Sequence, residues 1–418
     1  MKQVAVIGAG VSGLTAAYAL RGTHDVTLYE ALPRLGGHAD THDVLDERGN
    51  ALAIDTGFLV HNERTYPTLL RLFAELGVAT QPTEMSMSVR CGGCGMEYAG
   101  GKGLSGLFAQ RRRAVDPRHL RMLTEVTRFH RSARELLAAS GADDPTLQEF
   151  LDRGSFSPRF VSHVVTPLVS AVWSCPPAVA RLYPARYLFA FLDNHGMLTV
   201  KGAPTWRTVV GGSRTYVERA AKGLNAVLTS TPVRSVRRTG LGVEVRDDAD
   251  VVSTYDAVVL ATHPDQSLAL LADPTSAETR TLGAFEFTSN PTLLHTDQSL
   301  LPRAAGARAS WNYLLDSCDA SPDAVVVSYD VTRLQLLRTD TTYVVSLNAE
   351  DRVSSDSVIE RMDYAHPAYT RESVAAQADL PFLNDGVTAF AGAWQGWGFH
   401  EDGARSGVAA ARSLGASW

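Results

Sequence analysis

The stretch Val4-Ala5-Val6-Ile7-Gly8-Ala9-Gly10-Val11-Ser12-Gly13 decides how this chain is read. Four apolar residues in a row suit a parallel strand buried on both faces. They run directly into a G-x-G-x-x-G. Leu14 to Leu20 is small, apolar and helix-compatible, and Val26 to Tyr29 is a second apolar run that ends at Glu30. Together these form a β-α-β unit of about thirty residues. Gly8 permits the tight turn, Gly10 leaves room for a pyrophosphate against the backbone, and Gly13 lets the helix close on the strand. The first helical turn, at Val11 and Ser12, offers free N–H groups to a diphosphate. Glu30 stands 17 residues after Gly13, where a carboxylate can accept hydrogen bonds from a ribose. A dinucleotide site is expected.

Working outward, Glu30 is followed by Ala31-Leu32-Pro33-Arg34-Leu35-Gly36-Gly37-His38, an E-x-x-x-R-x-G-G. With this extension the chain resembles the flavin amine oxidase superfamily, which includes phytoene desaturases and protoporphyrinogen oxidases. The resemblance implies noncovalent FAD, cradled along its diphosphate and ribityl chain by Arg34, Gly36, Gly37 and His38. It further implies that Thr56-Gly57-Phe58 passes the isoalloxazine ring, that Val233 meets the adenine, and that Ala261 ends a returning strand. At the C-terminus Val387 to Phe390 reads as a strand entering Ala391-Gly392, and Asp402 as the N-cap of a helix from Gly403 to Leu414. In the family this helix points its positive end at the flavin, so Gly392, Asp402, Gly403 and Ala404 are expected cofactor contacts.

Two departures stand out. The family usually has an acid at the position of Ala393, and a cage tyrosine where this chain has Phe399-His400-Glu401. No cysteine follows Cys318, so the C-terminal thioether link to flavin is not available.

More narrowly, the strings at 55–67 (DTGFLVHNERTYP), 173–177 (WSCPP), 193–196 (DNHG) and 396–407 (GWGFHEDGARSG) resemble a bacterial family of FAD-binding oxidoreductases. Its members often lie beside genes for cyclopropane-fatty-acid synthases. That resemblance implies an apolar acyl or lipid substrate and a lipid methyltransferase as partner.

The expected fold is α/β, or α+β overall. A Rossmann-type FAD-binding domain of the glutathione-reductase-like or amine oxidase type is interleaved with a substrate domain of antiparallel sheet plus helices. Residues 1–75, 200–280 and 385–418 are assigned to the first domain, and 76–199 and 281–384 to the second. Thr292 to His295, Ser310 to Leu314, Val325 to Tyr329 and Tyr343 to Leu347 read as strands of one antiparallel sheet. Leu104 to Ala139 reads as helix, broken near Asp116-Pro117.

Candidate catalytic residues are His400 as acid, base or substrate-orienting group, Trp394 and Trp397 as walls of an apolar slot, Tyr66, and Lys201 as the lysine nearest a site segment. Lysines are scarce: 4 of the 39 basic residues, the rest arginine. No metal is expected. Cys91-Gly-Gly-Cys94 has no second C-x-x-C to complete a ligand set, and its glycine pair suits a hairpin turn. Cys175, before Pro176-Pro177, reads as a small buried residue.

Composition bounds the rest. The chain has 418 residues, is 45% hydrophobic, and carries a net charge of −6. That excludes a disordered chain and argues against a nucleic-acid binder. Four cysteines make no disulfide framework, so a reducing, cytoplasmic setting is expected. Leu104 to Arg134 nevertheless carries eight arginines against Asp116 and Glu125, interleaved with apolar residues. Such a stretch could dock peripherally on the inner, anionic membrane face.

The expected activity is an FAD-dependent oxidoreductase that moves a hydride from a substrate C–H to flavin N5. The alternatives are an amine oxidase, a redox-neutral double-bond isomerase, and a flavin-bound structural partner of a lipid methyltransferase.

Overall fold

The structure is a computed structural model that describes residues 1–140, 143–199 and 202–418. Lys201 therefore lies outside the described residues.

The N-terminal unit forms as its pattern requires. A strand at Lys2–Ile7 passes through Gly8 to Gly10 into a helix at Val11–Leu20, and a second strand follows at His24–Tyr29. The two strands pair in parallel, in register from Lys2 opposite His24 to Ile7 opposite Tyr29. Ala226–Leu228 adds on one side; Ala257–Leu260 and Thr388–Phe390 add on the other. The result is a five-stranded parallel sheet assembled from four distant stretches of chain. Every residue of Ala257–Leu260 is buried, as a strand covered on both faces must be.

The helix Val11–Leu20 packs against the C-terminal helix, His400–Ser413. Small residues set that approach. A Cβ on Gly403 would collide with Val11 and Ser12, and one on Gly407 with the Ser12 carbonyl oxygen, while Gly13 lets the helix Val11–Leu20 close on the Gly8 turn. The expected N-cap at Asp402 is corrected here. The helix starts three residues earlier than expected, at His400, and Asp402 occupies its first turn, where Oδ2 accepts the Phe399 N–H at 3.1 Å. The carboxylate still satisfies an end donor, but from inside the helix.

A seven-stranded sheet forms the second layer, in the order Val358–Ala368, Glu286–His295, Val344–Leu347, Val326–Asp330, Trp311–Leu315, Met87–Cys91, Glu97–Gly100. The four strands read from the sequence pair antiparallel within it, and Met87–Cys91 adds in parallel to Trp311–Leu315. A parallel pair needs a long crossover, and the whole helical layer between residues 103 and 194 lies within it. That layer includes Gly103–Leu107 and Pro117–Ala138, with a short 3₁₀ turn between them and Asp116 capping the longer helix. Thr80–Pro82, assigned from sequence to the substrate part, instead pairs with Trp206–Val209 beside the dinucleotide unit.

Candidate functional site

A cavity of about 830 Å³ runs from the glycine turn, between the two sheets, to the substrate side. Its dinucleotide end is walled by Gly8, Gly10, Val11, Ser12, Glu30, Gly36 and Gly37. Further along come His38, Thr56, Gly57, Phe58, Val233, Ala261 and Gly392. Gly10 is the informative position. Its backbone is extended (φ −70°, ψ 179°), and an added Cβ would meet no atom within 4 Å, so it faces the cavity. Glu30 Oε2 accepts the Ala9 N–H at 2.8 Å, and Oε1 accepts that of Leu32 at 2.9 Å. Each oxygen keeps a second lone pair for a ribose hydroxyl. The residues thus fit a dinucleotide: a bare backbone turn at a helix N-terminus, with a carboxylate held at its side.

Five expected cofactor contacts do not line the cavity. Arg34 is turned away, with Nη1 donating to the Gly37 carbonyl at 2.8 Å and Nη2 2.9 Å from Asp40. Buried Asp40 captures the guanidinium, so Arg34 braces the glycine pair from behind. Gly13 and Gly403 are packing positions, the second against Val11 and Ser12. Ala404 is buried beside them. Asp402 is paired with Arg405 Nη2 at 2.9 Å, and burial pushes its carboxyl up to about 6.

His400 lies in the cavity wall, its ring stacked on Phe58 at 3.7 Å and 14°. Among the described residues its Nε2 has no hydrogen-bond partner. Burial, with His38 and His61 nearby, holds its pKa well below the ordinary value, so the imidazole is neutral. Glu401, next in sequence, has a different task. Its two oxygens accept the Thr68 and Leu69 N–H groups at 3.0 Å each, capping the helix Pro67–Leu76 from another helix. The two acids of this first turn therefore point away from the cavity.

Trp397 lines the cavity and packs on Phe191 and Tyr187. Trp394 reaches the wall, but its indole N–H donates to the Thr262 carbonyl at 3.2 Å and its ring packs on Phe285. Gly392 is what admits that ring, since a Cβ there would overlap it. Tyr66 is buried in the wall, edge-on to His61 and His195.

Sequence reasoning missed most of the far wall: Met85, Ala171 to Ser174, Phe191, Met197, Tyr364 and His366. Two of its histidines have defined tautomers. Asn290 donates to His366 Nδ1 at 3.1 Å, and its own oxygen is taken by Asn348, which fixes the amide orientation. His366 therefore carries its proton on Nε2 and is a donor there. His195 donates from Nδ1 to the Phe191 carbonyl at 3.0 Å, which leaves Nε2 an acceptor. Desolvation lowers both to about 4, and His38 to about 3. Cys175 is fully buried, and burial pushes its thiol up to about 12.

A parallel dinucleotide sheet here opens into an aromatic cavity beside a second, mixed sheet, an arrangement that suits an enzyme acting on a substrate held next to a bound dinucleotide. A sequence model described as "Flavin containing amine oxidoreductase" matches residues 11–297, and the chain belongs to that family: it is an FAD-dependent oxidoreductase. No curated protein sequence matches it significantly. Solved structures with the same fold include wild-type putrescine oxidase bound to putrescine, at 16% identity, TM-score 0.69, covering 99% of this chain and 98% of that one. Cyclohexylamine oxidase from Brevibacterium oxydans IH-35A matches at 17% identity, TM-score 0.69, over 99% and 98% of the two chains. The CLA-producing fatty acid isomerase from P. acnes matches at 15% identity, TM-score 0.69, over 97% of each.

Proposed function

We propose that the protein oxidises an apolar acyl or lipid substrate at a C–H bond. One observation carries this reading. Among the described residues, Glu30 at the dinucleotide end is the only acid, lysine or arginine on the cavity wall; the far end is aromatic and aliphatic, with neutral histidines. Such a lining favours an uncharged chain over a diamine, which would leave ammonium groups unpaired in a desolvated site.

When bound, FAD supplies the hydride acceptor. The chain's own residues do the rest. Phe191, Trp397 and Phe399 exclude water and hold the apolar substrate. His366 donates from Nε2 to a polar head such as a carbonyl, and neutral His195, on the part of the wall with Phe191 and Trp206, offers a separate proton acceptor at Nε2.

The name of the P. acnes relative favours a second reading on the same cavity, redox-neutral isomerisation of an acyl double bond. Anaerobic mixing with acyl lipids, and with amines as a comparison, separates the readings. Lasting loss of the flavin colour with acyl lipids supports oxidation. A shifted double bond with the colour retained supports isomerisation. Bleaching by amines alone overturns the acyl reading.

The same reading proposes a lipid surface at the Arg-rich face, where Leu104, Val115 and Leu120 are exposed near Arg111, Arg112 and Arg118. Phe129, by contrast, turns into the core. Among the described residues no helix is long and apolar enough to cross a membrane. Salt-sensitive co-sedimentation with anionic liposomes would support docking, and no binding at low salt would end it. Separately, a lipid methyltransferase is the proposed protein partner.

A further inference from the structure

The Cys91-Gly-Gly-Cys94 hairpin lies far from the chemistry in sequence, and none of its residues lines the cavity. The fold brings two more soft ligands to it. Cys318, in the loop after the strand Trp311–Leu315, and His163, in an irregular helical turn at Val161–Val165, converge on the two hairpin cysteines. The three Sγ atoms and one imidazole nitrogen all lie within 4.8 Å of one another. We propose that Cys91, Cys94, Cys318 and His163 bind one zinc ion as a closed, structural Cys₃His site.

The distances suit a tetrahedron. Zn–S bonds of about 2.3 Å and a Zn–N bond of about 2.0–2.1 Å put sulfurs about 3.8 Å apart and a sulfur and a nitrogen about 3.6 Å apart. Cys91 Sγ is 3.9 Å from Cys318 Sγ, and Cys94 Sγ is 3.6 Å from His163 Nε2. At 3.9 Å the Cys91 and Cys318 sulfurs are unbonded, the three cysteines are free thiols, and four ligand atoms meet at one place where a disulfide needs two.

The surroundings prepare the ligands. His163 Nδ1 lies 3.2 Å from the Arg159 carbonyl and 2.8 Å from Ser162 Oγ. A carbonyl only accepts, so the proton sits on Nδ1 and the Nε2 lone pair faces Cys94. This is the outer hydrogen bond that metal-bound histidines make. Tyr98 Oη donates to the His163 carbonyl at 2.7 Å and holds that turn in place. Backbone N–H groups of Gly93 and Cys94 face the Cys91 sulfur, and that of Met96 faces the Cys94 sulfur. Three thiolates and one Zn²⁺ leave a single negative charge. Arg113, donating to the Cys94 carbonyl at 3.0 Å, and Arg159, with Nη2 3.5 Å from Met96 Sδ, stand beside it.

The glycine pair now has a use beyond turning the chain. Gly92 donates to the Leu315 carbonyl at 2.7 Å, and a Cβ on Gly93 would sit 3.0 Å from Ser317 Cα and 3.1 Å from the Cys318 nitrogen. Only bare backbone lets the Cys318 loop come this close. Cys91 and His163 are buried, while Cys94 and Cys318 are half-buried and leave an access path. With four protein ligands no position is open to substrate. The ion would pin the sheet edge to the helical segment that continues into Thr166–Trp173, whose end lines the cavity.

The test is metal analysis of the full-length flavoprotein, purified with reductant and without chelator. About one zinc per chain is expected. Cys318→Ser and His163→Ala should each lower it at least about tenfold while flavin content is retained. Should those variants fail to fold, the wild type still decides. Replacing its zinc with cobalt must produce tetrahedral thiolate d–d bands to the red of the flavin absorption. Wild-type protein with less than about 0.1 metal per chain overturns the proposal. So do folded variants with unchanged zinc, or alkylation mapping that finds two of these cysteines joined in the isolated protein.

Discussion

Replacing Gly10 with valine should weaken flavin binding severely without harming the fold. Gly10 is extended and its Cβ would meet no atom within 4 Å, so a β-branched residue can take this backbone conformation with its side chain directed into the cavity. Restricting the unfolded chain should even stabilise the flavin-free protein, by about 0.4–1 kcal/mol. The isopropyl group would, however, occupy the space in which a diphosphate approaches the backbone N–H groups of the helix Val11–Leu20. A hydrogen bond to a charged group is worth about 1.5–3 kcal/mol. Losing two of them would weaken binding by about 3–6 kcal/mol, or roughly two to four powers of ten in Kd. Titration of flavin-free protein with FAD measures the affinity, and thermal melts of the same sample measure the fold. Gly13→Ala is the contrast: its Cβ would collide with the Gly8 carbonyl, so it should lower both stability and binding. Wild-type affinity in Gly10→Val would refute the placement of the diphosphate against this turn.

Three further outcomes follow from the geometry. Glu401→Ala should cost about 2–4 kcal/mol in urea unfolding, since it strips the partner from two N–H groups, with Glu401→Gln losing roughly half as much. The protein should be acid-labile. Burial lowers His61, His195 and His366 to about 4, below the ordinary 6.5, so the fold favours their neutral forms. Their stabilisation is complete above pH 6.5 and is lost as pH falls toward 4, by up to about 1.4 kcal/mol per pH unit for each group. Among the described residues neither ring nitrogen of His61 has a hydrogen-bond partner, and its ring lies against Phe73, so His61→Phe should flatten that profile in melts between pH 6.5 and 4.5. Finally, Trp397→Ala should reduce turnover of an acyl substrate at least about tenfold, with flavin content unchanged. An equal loss of flavin would assign the residue to the cofactor instead.

The readable parts of this chain are those whose cause is local. The apolar run at Val4–Ile7, the turn at Gly8 to Gly13 and the acid at Glu30 carry their reasons within about thirty residues. The helix break at Asp116-Pro117 and the hairpin at Cys91 to Cys94 are local in the same sense: a proline opening a helix and a glycine pair turning a strand. The C-terminal helix was legible too, but its start was misplaced, because Asp402 satisfies the Phe399 N–H from inside the first turn just as a cap would from outside.

What the sequence by itself determined is therefore the dinucleotide unit and the family. Tertiary structure alone decided the rest. Arg34 pairs with Asp40 behind the cavity, and Glu401 caps a helix more than 330 residues away in sequence. The far wall is collected from separate segments around residues 85, 172, 195 and 366. Cys91 and Cys94 meet Cys318 and His163 only because strands Met87–Cys91 and Trp311–Leu315 pair in parallel across a crossover of more than two hundred residues. Turns and periodicity are set by forces between neighbours in the chain. Which distant segments meet is set by the burial of whole faces, and no short spacing records it.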